Sequence, residues 1–243
     1  IPFTDTTANT NGRDLLVDDI VLDGPTPPPP CFCSGTLIRT DRGEVAVEDF
    51  RAGDRMHTQD HGLQRVRWID GRRLAVAELQ AQLNLRPVRI TAGALGHGLP
   101  HRDICVSRQH RVLVQSKIAE RMFGTGEVLI AAIKLVALPG IDICDVAEDI
   151  EYFHILFDHH EVIFAEGAPF ESLLIAEESL KSLDSDTLAE VKVIFPDLAS
   201  ETFRMIPARL IPTGAQAKNL IRRHYKNGKP ICYDPSRAPA TAS

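Results

Sequence analysis

The chain has 243 residues, 25% of them charged and 44% hydrophobic, a balance that suits a globular protein with room for one large domain or two small ones. A formal net charge of −6 excludes broad electrostatic affinity for nucleic acid, and no apolar run approaches the ~20 residues of a membrane-spanning helix. Five cysteines, Cys31, Cys33, Cys105, Cys144 and Cys232, match neither a disulfide framework nor a C-x-x-C metal knuckle. They read as mostly reduced thiols.

Residues 1–24 are rich in Thr, Asn, Asp and Gly, with short apolar stretches at 15–17 and 20–22 that could each form a strand. The polar stretch 4–14 is followed by no long apolar core and is not read as a signal peptide. Residues 24–30 hold Pro27 to Pro30 and predict a stiff, extended linker, because consecutive prolines favour polyproline II. From residue 36 onward the pattern is short strands and turns. Strands are expected at 36–40, 55–58, 63–69 and 87–90, where apolar and polar residues roughly alternate. Residues 44–50 read as strand or short turn, and 75–85 as short helix or loop. Further strands are expected at 103–107, 111–114, 142–147, 151–157 and 161–165. Residues 127–135 fit strand or short helix equally. This two-residue period without a βαβ rhythm predicts a mostly β, all-β type domain.

The texture changes after residue 167. Leu180, Leu183, Leu188, Val191 and Ile194 recur at helical spacing before Pro196, predicting a helix within 177–195. A second helix is expected at 215–224, and the Pro/Ala/Ser-rich end, 235–243, should fray. Three regions follow: a flexible flank with a Pro-rich linker at 1–30, the β domain at 31–170, and a partly helical C-terminal extension at 171–243.

One cluster stands at the domain's opening: Cys31-Phe32-Cys33-Ser34-Gly35-Thr36. A cysteine there can attack the peptide bond just before it. Two later segments carry groups such an attack needs: Val106-Ser107-Arg108-Gln109-His110 and Phe153-His154-Ile155-Leu156-Phe157. The arrangement resembles the Hint (hedgehog/intein) superfamily, and within it the bacterial hedgehog/intein-like branch. The resemblance rests on Cys31-Phe32 followed by Gly35-Thr36, on Ser107-x-x-His110 in the place of Thr-x-x-His, and on a hydrophobic strand with His154. It covers roughly residues 31–170 and implies a Hint-type horseshoe or barrel-like β domain.

The resemblance also implies a chemistry. Cys31 attacks the Pro30 carbonyl in an N–S acyl shift, turning an amide into a thioester. Such a step needs a thiolate, a proton for the departing nitrogen and stabilisation of the oxyanion. His110 is the expected proton donor to the Cys31 nitrogen, since histidine exchanges protons near neutrality. Ser107 is expected to hydrogen-bond the scissile amide. Residues three apart on a strand face opposite ways, so a turn must lie between Ser107 and His110. His154 is expected to take the Cys31 proton or to activate an incoming nucleophile; the alternative is a core histidine satisfied by backbone. The reaction acts in cis on the chain's own flank, with water, a thiol or another small nucleophile resolving the thioester. No cofactor or metal is implied. Cys33 competes with Cys31 as nucleophile, but the Cys-Phe start of the family matches Cys31. Cys105 and Cys144, set among Ile and Val, are read as core, and Cys232 as incidental.

Two features depart from the family. Pro30 stands where hedgehog proteins have Gly, and its hindered carbonyl predicts slow cleavage. No His-Asn pair closes the domain near residue 167, so full splicing is not expected. Residues 171–243 occupy the place of the hedgehog sterol-holding region, yet nothing in them specifies a sterol. Three other readings compete. One is an inert Hint-fold attachment or interaction module of a secreted protein. Another is a zinc site from His154, His159, His160 and Glu161, against which a polar turn at 158–160 is preferred. The last is a cysteine protease acting in trans. Bacterial origin is implied by the resemblance, while secreted and cytoplasmic locations stay open.

Overall fold

The computed structural model describes residues 29–175, 188, 191, 193 and 205–232. The expected leader strands, most of the linker, most of the 177–195 helix and the 235–243 tail lie outside the described residues.

The strands in chain order are β1 (Phe32–Cys33), β2 (Leu37–Thr40), β3 (Gly43–Ala46), β4 (Arg55–Thr58), β5 (Gly62–Arg65), β6 (Trp68–Leu74), β7 (Val88–Ile90), β8 (Ile104–Val106), β9 (Arg111–Gln115), β10 (Glu127–Ala131), β11 (Ile141–Ile143), β12 (Ile150–Leu156), β13 (Val162–Ala165) and β14 (Ala168–Glu171). The helices are α1 (Val76–Ala81), α2 (Lys117–Phe123), α3 (Ala132–Leu135) and α4 (Gly214–Asn227). A six-stranded antiparallel sheet runs β11-β7-β8-β1-β12-β6, and an eight-stranded one runs β10-β9-β14-β13-β2-β4-β5 with β3 beside β2. The architecture is mostly β with a helical C-terminal part, as expected.

Sequence order and sheet order differ at the point that matters. The two-residue strand β1 sits between β8 and β12, with Phe32 opposite both Val106 and Phe153. The start of the domain is therefore an interior strand rather than an edge. Strand β12 is buried from Tyr152 to Leu156, because β1 and β6 flank it and both faces are covered. At its neighbour Gly71, a Cβ would lie 2.6 Å from Phe153 Cε1. Only glycine leaves room there for the ring across the strand pair.

Several elements differ from the sequence expectation. Residues 127–135 are both alternatives in succession, β10 and then α3. The strand expected at 142–147 is shorter and earlier, at β11. Helix α2 was not expected; Ser116 caps it by accepting from Ala119 N–H, and Gly124 closes it at φ 75°, the usual left-handed stop. Hairpin β13–β14 carries the β structure through Glu171.

The described residues 205–232 of the extension pack on the β core. Thr213 and Gln216 form a reciprocal capping box at the start of α4, a motif that satisfies two backbone donors at once. Leu220 and Ile221 of that helix join the main core cluster together with Ile231 and Cys232. Backbone bonds tie it down further: Leu129 N–H donates to Leu210 O at 2.9 Å, and Gln115 N–H to Ile231 O at 2.8 Å. Cys232 is thus a core residue, 2% exposed.

Candidate active site at the start of the domain

The four residues singled out in the sequence meet around Cys31, with Ser107 and His154 on the Pro30–Cys31 bond and His110 on the Cys31 carbonyl. Cys31 stands just before β1, Ser107 and His110 lie in the turn between β8 and β9, and His154 is in the middle of β12. The β8–β9 turn is closed by His110 N–H donating to Ser107 O at 3.1 Å. It is pinned from outside by Ala132 N–H to His110 O at 2.8 Å and Ile133 N–H to Arg108 O at 3.0 Å. That turn lets Ser107 and His110 both reach Cys31, as the three-residue spacing requires. Cys31 is 1% exposed, Ser107 0%, His110 1% and His154 6%, so the site is shielded from bulk water.

Each atom of the Pro30–Cys31 bond has a partner. Cys31 N–H donates to Ser107 Oγ at 3.1 Å. His154 Nδ1 lies 2.9 Å from Pro30 O; a carbonyl oxygen only accepts, so Nδ1 carries the proton. Cys31 Sγ is 3.5 Å from His154 Nδ1 and 3.7 Å from Nε2. The thiol donates to Pro29 O at 2.9 Å, and Ser107 Oγ donates to the same oxygen at 2.8 Å. Burial raises the Cys31 thiol far above its usual range, despite the Ser107 hydroxyl and Arg72 pulling it down. In this state Cys31 is a protonated thiol.

His110 meets Cys31 through a different atom from the one expected. Its Nδ1 stands 2.8 Å from Cys31 O, and its Nε2 is 3.0 Å from Glu171 O. Phe32 packs edge-on against the ring at 4.3 Å between centroids. Burial lowers the His110 pKa, outweighing the Glu171 charge and the two carbonyls that favour the imidazolium. Burial likewise lowers that of His224, whose Nε2 is 3.0 Å from Ser116 Oγ. A histidine held neutral in the fold binds fewer protons than the unfolded chain. Its contribution to stability is complete above the ordinary pKa of ~6.5 and declines below it. The urea midpoint is therefore expected to drop between pH 7.5 and pH 5.5. Equal midpoints at the two values would contradict the buried-neutral assignment.

Behind His110 lies a charged cluster that the sequence reading missed. Glu171 is fully buried, with its carboxylate 2.9 Å from Arg111 Nη1 and 3.2 Å from His160 Nε2. The His160 contact is at ion-pair distance but lacks hydrogen-bond alignment, since Nε2 has no hydrogen-bond partner. His160 Nδ1 accepts from Ala208 N–H at 2.9 Å, which puts the ring proton on Nε2, facing Glu171. Burial raises the Glu171 pKa, but His160 and Arg111 prevail and hold it below the usual carboxylate range. Glu171 follows Phe170 at the end of β14, and nothing in its local pattern marks it as interior. His160 is buried while His159 is exposed, so the adjacent pair faces two ways. Among the described residues no group of three or more His, Cys, Asp or Glu is placed to hold a metal ion.

The other cysteines separate. Cys33 is 9% exposed and packs in a cluster with Cys31 and Tyr152, against which Cys105 and Cys144 rest. Cys105 and Cys144 are not core residues, contrary to expectation. Both are half-buried and line a groove.

Comparison with known proteins places these observations. Residues 30–177, more than half of the chain, match the family described as "Hint domain". No curated protein sequence matches. Solved structures that resemble the fold include a bacterial intein-like domain from Clostridium thermocellum, with 17% identity, a TM-score of 0.37, and coverage of 58% of this chain and 96% of that one. A DnaB intein from Synechocystis sp. PCC 6803 shows 12% identity and a TM-score of 0.34, covering 59% and 98%. The Ssp DnaB mini-intein variant M86 shows 8% identity and a TM-score of 0.38, covering 61% and 97%.

Proposed function

The chain belongs to the Hint domain family, and from that premise we propose that it processes itself at the Pro30–Cys31 bond. The observation that carries this reading is the double grip on one peptide: Ser107 on its N–H and His154 on its carbonyl, with the Cys31 sulfur beside the same histidine.

The reaction begins when the thiol turns from Pro29 O toward Pro30. With its proton on Nδ1, the neutral His154 ring has its lone pair on Nε2, and that nitrogen takes the thiol proton. The imidazolium then faces both the new thiolate and the Pro30 oxygen. As the Sγ–C bond forms, the negative charge on that oxygen is met by Nδ1–H, in the manner of an oxyanion donor. As the C–N bond breaks, the Cys31 nitrogen needs one proton. Ser107 holds that nitrogen in place. The His154 imidazolium gives it the proton taken from the thiol, so both histidines end as they began, while the neutral His110 holds the Cys31 carbonyl beside it. The thiol loses a hydrogen and the amine gains one, so the acyl shift is an isomerisation. Water or a small thiol then cleaves the thioester and frees residues 1–30.

Intact mass after incubation with dithiothreitol or hydroxylamine tests this. Loss of residues 1–30 from the wild-type chain, absent in Cys31→Ala, is the expected result. Pro30→Gly should accelerate it, on the order of tenfold, by removing the ring that hinders the carbonyl. An unchanged mass in both wild type and Pro30→Gly would sink the proposal.

A second reading has an observation of its own. The thiol is protonated and bonded to Pro29 O rather than aimed at Pro30, as an inert Hint-fold attachment module would have it. That module would stay in one piece under every nucleophile.

A further inference from the structure

The thiols the proposed reaction leaves unused have their own geometry. Cys105 lies on β8, opposite Arg89 of β7. Cys144 follows β11 on the other side of β7, anchored by its N–H to Pro87 O at 2.9 Å. Their sulfurs are 3.6 Å apart, across a separation of 39 residues in sequence. Both side chains line a groove of about 710 Å³ with Cys33, Asp103, Asp145 and Val146, so a small solute reaches them. Cys31, by contrast, is 1% exposed.

We propose that Cys105 and Cys144 form a reversible dithiol–disulfide site that takes hydrogen peroxide, or a peroxide of similar size, as its oxidant. Sheet bonds place the two backbones on either side of β7, so closing the sulfurs to the ~2.05 Å of a disulfide also draws the segment just after β11 toward β8. One sulfur attacks a peroxide oxygen; the O–O bond breaks and a sulfenic acid and one water form. The other sulfur displaces that hydroxyl; the S–S bond forms and a second water leaves. Two thiol hydrogens and two electrons pass to the peroxide, which becomes two waters. The hydrogen bond from Cys144 pulls the Cys105 pKa down, but contact with Cys33 and burial prevail and push it up to about 12. The attacking thiolate is scarce at neutral pH, so oxidation is slow there and quickens as pH rises.

The site is independent of the self-processing reaction, since both cysteines lie downstream of Pro30 and are present in cut and uncut chains alike. The test is a non-reducing peptide map of the full chain after hydrogen peroxide, with thiols counted in denaturant. The expected result is loss of two hydrogens, a fall from five thiols to three, and one cross-linked peptide pair joining Cys105 to Cys144. Dithiothreitol should restore all five. The oxidised chain should melt higher, by on the order of 10 °C, because a long loop is closed in the unfolded state. Neither Cys105→Ser nor Cys144→Ser should show that shift. Five thiols after peroxide, added oxygen on these sulfurs without a cross-link, or a cross-link through Cys31 or Cys33 would each overturn the proposal.

Discussion

Replacing His154 by alanine is expected to slow thioester formation by about 10²–10⁴-fold, the range for losing a positioned acid–base group that also serves the oxyanion. The geometry asks two things of this ring: a donor 2.9 Å from Pro30 O and a proton acceptor near Cys31 Sγ. Asparagine can supply the first and not the second, so His154→Asn should fall between wild type and alanine. The readout is the initial rate of flank release with hydroxylamine, followed by intact mass on variants whose circular dichroism matches wild type. A rate for His154→Ala equal to wild type would reduce His154 to a ring packed parallel to Trp68, with centroids 6.3 Å apart. It would also return the proton transfer to His110.

The largest effect on stability is expected at Glu171. Its carboxylate is fully buried between Arg111 and His160, and Arg111 N–H also donates to it at 2.8 Å. Glu171→Ala leaves a largely buried guanidinium and a buried imidazole facing an empty space. Breaking a buried pair in this way costs about 3–5 kcal/mol, because the remaining charge is left uncompensated. In a chain of this size that is a fall in melting temperature of about 10 °C. Glu171→Gln keeps the shape and an acceptor oxygen, so its loss should be smaller. Thermal melts by circular dichroism at pH 7.5 read both. If the alanine variant melts with wild type, the cluster adds nothing to the fold. The Glu171 backbone carbonyl holds His110 Nε2, so a destabilised Glu171→Ala chain should also process its flank more slowly.

The candidate groups could be picked out in the sequence because their signals are local. Cys31-Phe32, Ser107-x-x-His110 and an apolar strand with one histidine are each short patterns, and the fold brings them together around Cys31. The strands were readable where one face is buried, as at Val88-Arg89-Ile90 with its buried, exposed, buried alternation. The same alternation argues against a core position for Cys105, which stands between buried Ile104 and Val106 on a strand and so points away from them. Apolar neighbours alone hid that. Glu171, Arg111 and His160 were beyond reach for another reason. Their pairing depends on the β13–β14 hairpin register and on β14 lying beside β9, and long-range pairing leaves no trace in a local pattern. The role of Pro30 O was equally hidden, since a backbone oxygen carries no sequence signal.

The interior position of β1 bears on what happens after the bond is cut. On the proposed reaction, cleavage would leave a new α-amine on Cys31, at a point that is 1% exposed and beside Ser107. An α-amine in water has a pKa of ~7.7–8.0, and burial disfavours its charged form. The new terminus is therefore kept neutral, and a neutral amine is a good nucleophile. Held by Ser107 next to the thioester it has just left, it would recapture the acyl group faster than it released it, because the amide is the more stable side. The protein would thus behave as a reversible latch, with the amide as its resting side. Its output would be set by how fast an outside nucleophile arrives rather than by how fast the bond opens. Only when the flank has departed would a free amine remain at the start of β1.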